Sequence, residues 1–178
     1  MSNTATHNIP LSEKKFQESV FSILQNHFKI EKQVSGKHFS GKKFLIDAVI
    51  QPLDLTEWKN KEIAFGVEFK SPDKLKSTND TTGWFAQCID YANTNWDSYG
   101  YINIFSCPRL FDDLTFANVQ DSRLLINRLF SNLGIGELYK HKNYGFCFYL
   151  QNSHLIWSEK RGVIGGKNWS LKRKFGSR

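Results

Sequence analysis

Phe44-Leu45-Ile46-Asp47-Ala48-Val49-Ile50 and, about twenty residues later, Ile63-Ala64-Phe65-Gly66-Val67-Glu68-Phe69-Lys70 decide how the chain is read. Both runs are apolar and rich in β-branched or aromatic residues, as mostly buried strands are. Strand side chains alternate faces, so Glu68 and Lys70 share one face while Val67 and Phe69 take the other. Asp47 and Glu68 are then carboxylates inside buried strand patterns, where an uncompensated charge costs on the order of several kcal/mol. If the two strands pair, Asp47, Glu68 and Lys70 meet at one point. A divalent cation between the carboxylates would supply the missing compensation.

Upstream, Leu11-Ser12 opens a helix with Ser12 as N-cap, running to about Phe28, with Phe16, Val20, Ile23, Leu24 and His27 as its inward stripe. At about 100° per residue Glu13 projects into the centre of that stripe and Glu18 onto the opposite side. Glu13 reads either as an acid aimed at the site or as a first-turn complement to the helix dipole. From Lys29 to Lys43 the chain is basic: Lys29, Lys32, Lys37, Lys42 and Lys43 stand against Glu31 alone. Gly36 and Gly41 suggest a hairpin leading into the Asp47 strand. These lysines suit a solvated edge or a rim that tracks phosphates. Asp54 lies beyond Pro52 and outside the strand pattern, so Asp47 is the better candidate acid.

Downstream, Ser71-Pro72-Asp73 stops the strand, and a polar loop with Lys74 and Lys76 follows. A helix over about Thr82 to Asn95 turns Phe85, Ile89 and Ala92 inward with Cys88 beside them. Gln87 and Tyr91, four apart, share another face. Gly100 to Phe105 is a further strand, turned off by Pro108. Leu124, Leu125, Leu129 and Phe130 mark a helix that stops near Gly134. Tyr144 to Leu150 and His154 to Trp157 form a terminal hairpin. The tail from Ser158 is basic, with Lys172, Arg173 and Lys174 near its end and Trp169 among its charges, which suits a nucleic-acid arm or a solubilising tail.

Asp47 on one strand and Glu68-Phe69-Lys70 on the next resemble the PD-(D/E)XK nuclease superfamily, although the Pro of that name is missing beside Asp47. The pair Gln87 and Tyr91 matches the Gln-x-x-x-Tyr pattern of its RecB-like branch, and Glu13, with Phe16 and Val20, matches its first-helix acid. The resemblance covers roughly Glu13 to Phe105. It implies an α/β restriction-endonuclease-like core, a central mixed sheet flanked by helices in the order α-β-β-β-α-β, here with a C-terminal helix and β-hairpin added. It also implies Mg²⁺- or Mn²⁺-dependent hydrolysis of phosphodiester bonds, with Asp47, Glu68, the Phe69 carbonyl and Glu13 as metal ligands. Lys70, Gln87 and Tyr91 would complete the catalytic set. The resemblance implies a free-standing endonuclease of phage, mobile-element or bacterial DNA processing or defence, of the RecB-like, phage-type or junction-resolvase-like branch.

A chain of 178 residues, 40% hydrophobic and 15% aromatic, suits one domain. Its expected divisions are a disordered start over 1–10, a catalytic core over 11–107, an addition over 108–158 and a basic tail over 159–178. A net charge of +7 favours a polyanionic partner such as DNA, held by Lys37, Lys42, Lys43, Lys74, Lys76, Lys172, Arg173 and Lys174. Cys88, Cys107 and Cys147 read as reduced core residues of a cytoplasmic protein, and no apolar run reaches membrane-span length. Cutting two strands with one site per subunit would call for a homodimer. A catalytically inactive nucleic-acid-binding module of the same fold is the alternative function. In the blandest reading Glu68 and Lys70 are a mere ion pair, and the buried Asp47 argues against it.

Overall fold

The computed structural model describes residues 13–58, 60–70, 78–108, 129–130, 132–150 and 155–164, with the backbone alone for 78–81. In chain order the elements are α1 (Glu13–Leu24), β1 (Phe28–His38), β2 (Lys43–Pro52), β3 (Phe65–Phe69), α2 (Thr78–Ala92), β4 (Thr94–Trp96), β5 (Asn103–Cys107), β6 (Ile135–His141), β7 (Gly145–Tyr149), β8 (Leu155–Ser158) and β9 (Gly162–Val163). The strands form one mixed sheet in the order β4-β1-β2-β3-β5-β6-β7-β8-β9. From β1 to β3 the pairing is antiparallel; β5 lies parallel to β3 and β6 parallel to β5. The protein is therefore α/β, as its sequence leads one to expect. Among the described residues no helix is long and apolar enough to cross a membrane.

Strand alternation divides the core between the two faces of the sheet. Val20, Phe21 and Leu24 of α1 pack with Ala48, Ile50, Phe65, Val67, Phe69, Phe105 and Phe148. Trp84, Cys88, Tyr91 and Ala92 of α2 pack with Val34, Ile46, Val49, Ile102, Ile104 and Ile135 on the other. Phe69 anchors the first layer, meeting Phe21 and Phe16 edge-on at centroid distances of 5.0 and 6.1 Å. Edge-to-face pairs of this kind add about 1 kcal/mol each beyond the area they bury.

In β1 and β2 alternation is broken at the same level of the two paired strands. In β2, Ala48 and Ile50 face α1 and Val49 faces α2, yet Ile46 also faces α2. In β1, Phe28 and Ile30 face α1 while Val34 faces α2. The skip falls between the register pairs Lys32↔Ala48 and Val34↔Ile46, where Gln33 adopts a left-handed φ of 56° that a non-glycine residue rarely takes. The outer half of the β1–β2 hairpin is thereby re-aimed over α2, and Asp47 sits at the break.

Several boundaries differ from the sequence expectations. α1 ends at Leu24, because Phe28 already belongs to β1; His27 lies in the turn between them, its ring 5.2 Å from Trp157. α2 ends at Ala92, and Thr94–Trp96 then adds an edge strand to β1. Gly36 is within β1, not at the turn: a Cβ there would come within 2.6 Å of Thr94 and Trp96, so glycine is what lets β4 lie close. The C-terminal strands are no separate hairpin packed on a core but a continuation of the same sheet through β6, which periodicity did not reveal. Gly134, at φ 75°, sets the turn into β6. The expected loop at Lys74 and Lys76, helix positions Leu124 and Leu125, and the termini with Lys172, Arg173 and Lys174 lie outside the described residues.

Candidate active site

The break in β2 and the end of β3 bring the expected residues together. The register Ala48↔Val67, extended by one position, sets Asp47 opposite Glu68. The Phe69 N–H donates to Asp47 Oδ2 at 2.8 Å, and Gln33 Nε2 donates to Oδ1 at 3.3 Å. These bonds hold the carboxylate at the rim between β2 and β3. Phe69 thus serves the site through its backbone while its ring is buried on the α1 face.

Glu68 is the unusual group. It is 3% exposed, and its Oε1 accepts from Lys70 Nζ at 3.1 Å and from Gln87 Nε2 at 2.8 Å. Its Oε2 is buried with no hydrogen-bond partner. Burial first, and the Asp47 charge second, push the Glu68 carboxyl up to about 8 from the ordinary 4.5, with Lys70 pulling the other way. A carboxylate so raised, with one oxygen unsatisfied and a second carboxylate across the strand, is short of positive charge.

α2 supplies the bracket. Gln87 uses its amide to donate to Glu68 and also to Tyr91 Oη at 2.8 Å, and Tyr91 donates in turn to the Leu45 carbonyl at 2.9 Å. The spacing of four residues puts both side chains on one face of the helix. Burial and the nearby Glu68 charge raise the Tyr91 phenol well above its usual range, so it acts as a neutral hydrogen-bonding strut. The Cys88 thiol beside it is also pushed up by burial and stays protonated.

Asp47, Glu68, Phe69, Lys70, Gln87 and Tyr91 therefore converge. Glu13 does not join them in a ligand set: among the described residues no group of three His, Cys, Asp or Glu side chains is placed to hold a metal. It begins α1 half-buried, one turn before Phe16, while Glu18 is exposed. The donor set in hand is two carboxylates, one with a bare buried oxygen, which suits a hard divalent cation whose other ligands are water or substrate.

Sequence reasoning missed three neighbours. Gln33 reads as an ordinary surface residue, and its contact with Asp47 follows from its left-handed backbone. Ser106 and Glu137, both buried, continue the row that Glu68 begins, through the register pairs Glu68↔Ser106 and Ser106↔Glu137. A Glu between Ile135 and Leu138 was the available signal for the last. Lys37, Lys42 and Lys43 are exposed around the β1–β2 turn. Comparison with protein-family models, curated proteins and solved structures found no match, which leaves the residues and their geometry as the grounds for a functional reading.

Proposed function

We propose that the protein is a nuclease of the PD-(D/E)XK type that hydrolyses phosphodiester bonds of DNA with Mg²⁺ or Mn²⁺, serving DNA processing or defence inside the cell. The observation that carries this reading is the buried, partly unsatisfied Glu68 opposite Asp47, with Lys70 on its other oxygen. The order helix, three antiparallel strands, helix and parallel strand, from α1 to β5 with the short edge strand β4 inserted after α2, supports it. Asp47 and Glu68 would hold the cation. When bound, it supplies an electrophile for a non-bridging phosphate oxygen and lowers the pKa of its water.

Each residue has a task. Asp47, tied to the Phe69 N–H, keeps one carboxylate fixed at the rim. Gln87 fixes Glu68 from the α2 side, so both oxygens hold a set direction. Lys70, with about a quarter of its side chain exposed, keeps its Nζ on Glu68 Oε1 at the edge of the site, next to which a scissile phosphate would lie. There its ammonium orients the attacking water or neutralises charge on the five-coordinate transition state.

The test is cleavage of linear duplex, single-stranded, flap, four-way-junction and RNA substrates in Mg²⁺, Mn²⁺ or EDTA, with wild type beside Asp47→Asn. Metal-dependent cutting of DNA that the variant lacks is expected. Binding without cutting under every metal would replace this reading with the inactive module.

A further inference from the structure

The β1–β2 hairpin ends in a feature that the chemistry at Glu68 does not use. At its turn Phe39 is 74% exposed, and Leu45 on the arm is 50% exposed. Lys37 pairs with Lys43 across the strands, and Lys42 sits in the turn itself. From Lys32 to Ile46 the sequence holds no acidic residue. An exposed aromatic at a turn that also carries three exposed lysines matches a partner that offers both a π-face and negative charge, and nucleic acid with an unstacked base does so.

Phe39 is also held in place. Its ring lies 4.1 Å from that of His38, and the buried His38 ring is braced by Phe44 at 5.7 Å. The Ser40 N–H donates to His38 Nδ1, and the turn is closed by the Gly41 N–H to the His38 carbonyl, with Gly41 at φ 89°. Phe44 meets Tyr91 at 5.5 Å, and Tyr91 holds Gln87, which holds Glu68. A run of packed rings from Phe39 to Tyr91, continued by the hydrogen bonds of Gln87, thus connects the tip to Glu68. Lys43 to Asp47 is four residues of strand, roughly 13 Å, or about four nucleotides of stacked single strand.

We propose that the β1–β2 tip is a DNA-docking wedge, in which Phe39 stacks on an unpaired base while Lys37, Lys42 and Lys43 neutralise the flanking phosphates. In combination with the nuclease reading, on which this part rests, it selects DNA carrying unpaired bases a few nucleotides from the bond that is cut. A preordered ring loses little entropy on stacking, so the contact favours single-stranded or branched DNA over intact duplex.

The experiment measures the affinity of the full chain for fluorescently labelled duplex, single-stranded and flap DNA of one sequence, by anisotropy in EDTA, so that no cutting intervenes. Wild type is expected to prefer the unpaired substrates, and Phe39→Ala to lose about tenfold on them with duplex binding unchanged. Phe39→Trp keeps the preference, and joint replacement of the three lysines by Ala weakens every substrate. Equal binding by Phe39→Ala and wild type overturns the wedge. So does tighter binding of the matching RNA strand, or a dimer that Phe39→Ala dissociates with DNA affinity unchanged, which would give the patch to a second copy. Phe39-dependent binding without metal-dependent cutting keeps the wedge and rejects the nuclease; cutting that ignores Phe39 does the reverse.

Discussion

Glu68 is held where its charge is costly. Its carboxyl titrates near 8 instead of 4.5 in the fold without a cation, so the unfolded chain gives up the proton first. The cost is nil below about 4.5, grows as pH rises through about 8, and reaches at most about 5 kcal/mol above that. Thermal melts in EDTA should therefore show the Tm falling from pH 5 to pH 9. Glu68→Gln, which cannot ionise, should match wild type at pH 5 and exceed it at pH 9 by on the order of 1–3 kcal/mol, part of the gain being lost because Lys70 is left without its anion. Mg²⁺ added at pH 9 should raise the Tm of wild type and not of Glu68→Gln. A variant no more stable than wild type at pH 9 would mean that Glu68 is solvated. Lys70 makes the complementary prediction. Lys70→Ala should slow cleavage at least about a hundredfold, as loss of one transition-state contact does. It should leave DNA affinity within a few-fold, since under the proposed function phosphate contacts elsewhere would carry binding; single-turnover cleavage beside anisotropy separates the two.

α2 and the β1–β2 hairpin position these residues, and each has a distinct sensitivity. In α2, Gly83 is exposed and a Cβ built there meets nothing within 4 Å. Gly83→Ala should stabilise the protein by about 1 kcal/mol, read from denaturant melts, because a helix-interior glycine wastes backbone entropy. Loss of stability would mean that a neighbour occupies the space. α2 itself, β2 and β3 were legible in the sequence because their apolar periods are long and their polar exceptions few. The meeting of Asp47, Glu68 and Lys70 was legible for the same reason, whereas Gln87 and Tyr91 were tied to them only by the resemblance to the nuclease pattern. The skip at Gln33 was not, since it lies in one backbone dihedral that the side chain does not announce. The three residues of β4 are too few to show a period, and β6 alternates imperfectly around Glu137 and Lys140. α1 was read too long because the apolar series Leu24, His27, Phe28 fits a helix although the chain has already turned into β1.

Taken whole, the molecule is one sheet whose C-terminal strands complete the core that the site rests on. Phe65 of β3 stacks on Phe148 of β7 at 5.6 Å with 22° between the rings, and Phe105 of β5 meets the same Phe148 edge-on at 4.8 Å. Phe28, at the start of β1, packs on Phe148 at 5.7 Å and on Trp157 of β8 at 4.8 Å. A chain cut after residue 108 would expose all three phenylalanines and leave β5 a bare parallel edge, with backbone groups unpaired where β6 now sits. Truncating a single buried Phe costs about 3–5 kcal/mol, a fifth or more of a typical domain's stability of about 5–15 kcal/mol. On this packing the segments 11–107 and 108–158 should unfold together. The 1–108 fragment should show no cooperative thermal transition by circular dichroism, whereas the full chain unfolds in a single step. If the fragment melts cooperatively and cuts DNA, β6 to β9 are an accessory layer and the core is smaller than its packing implies.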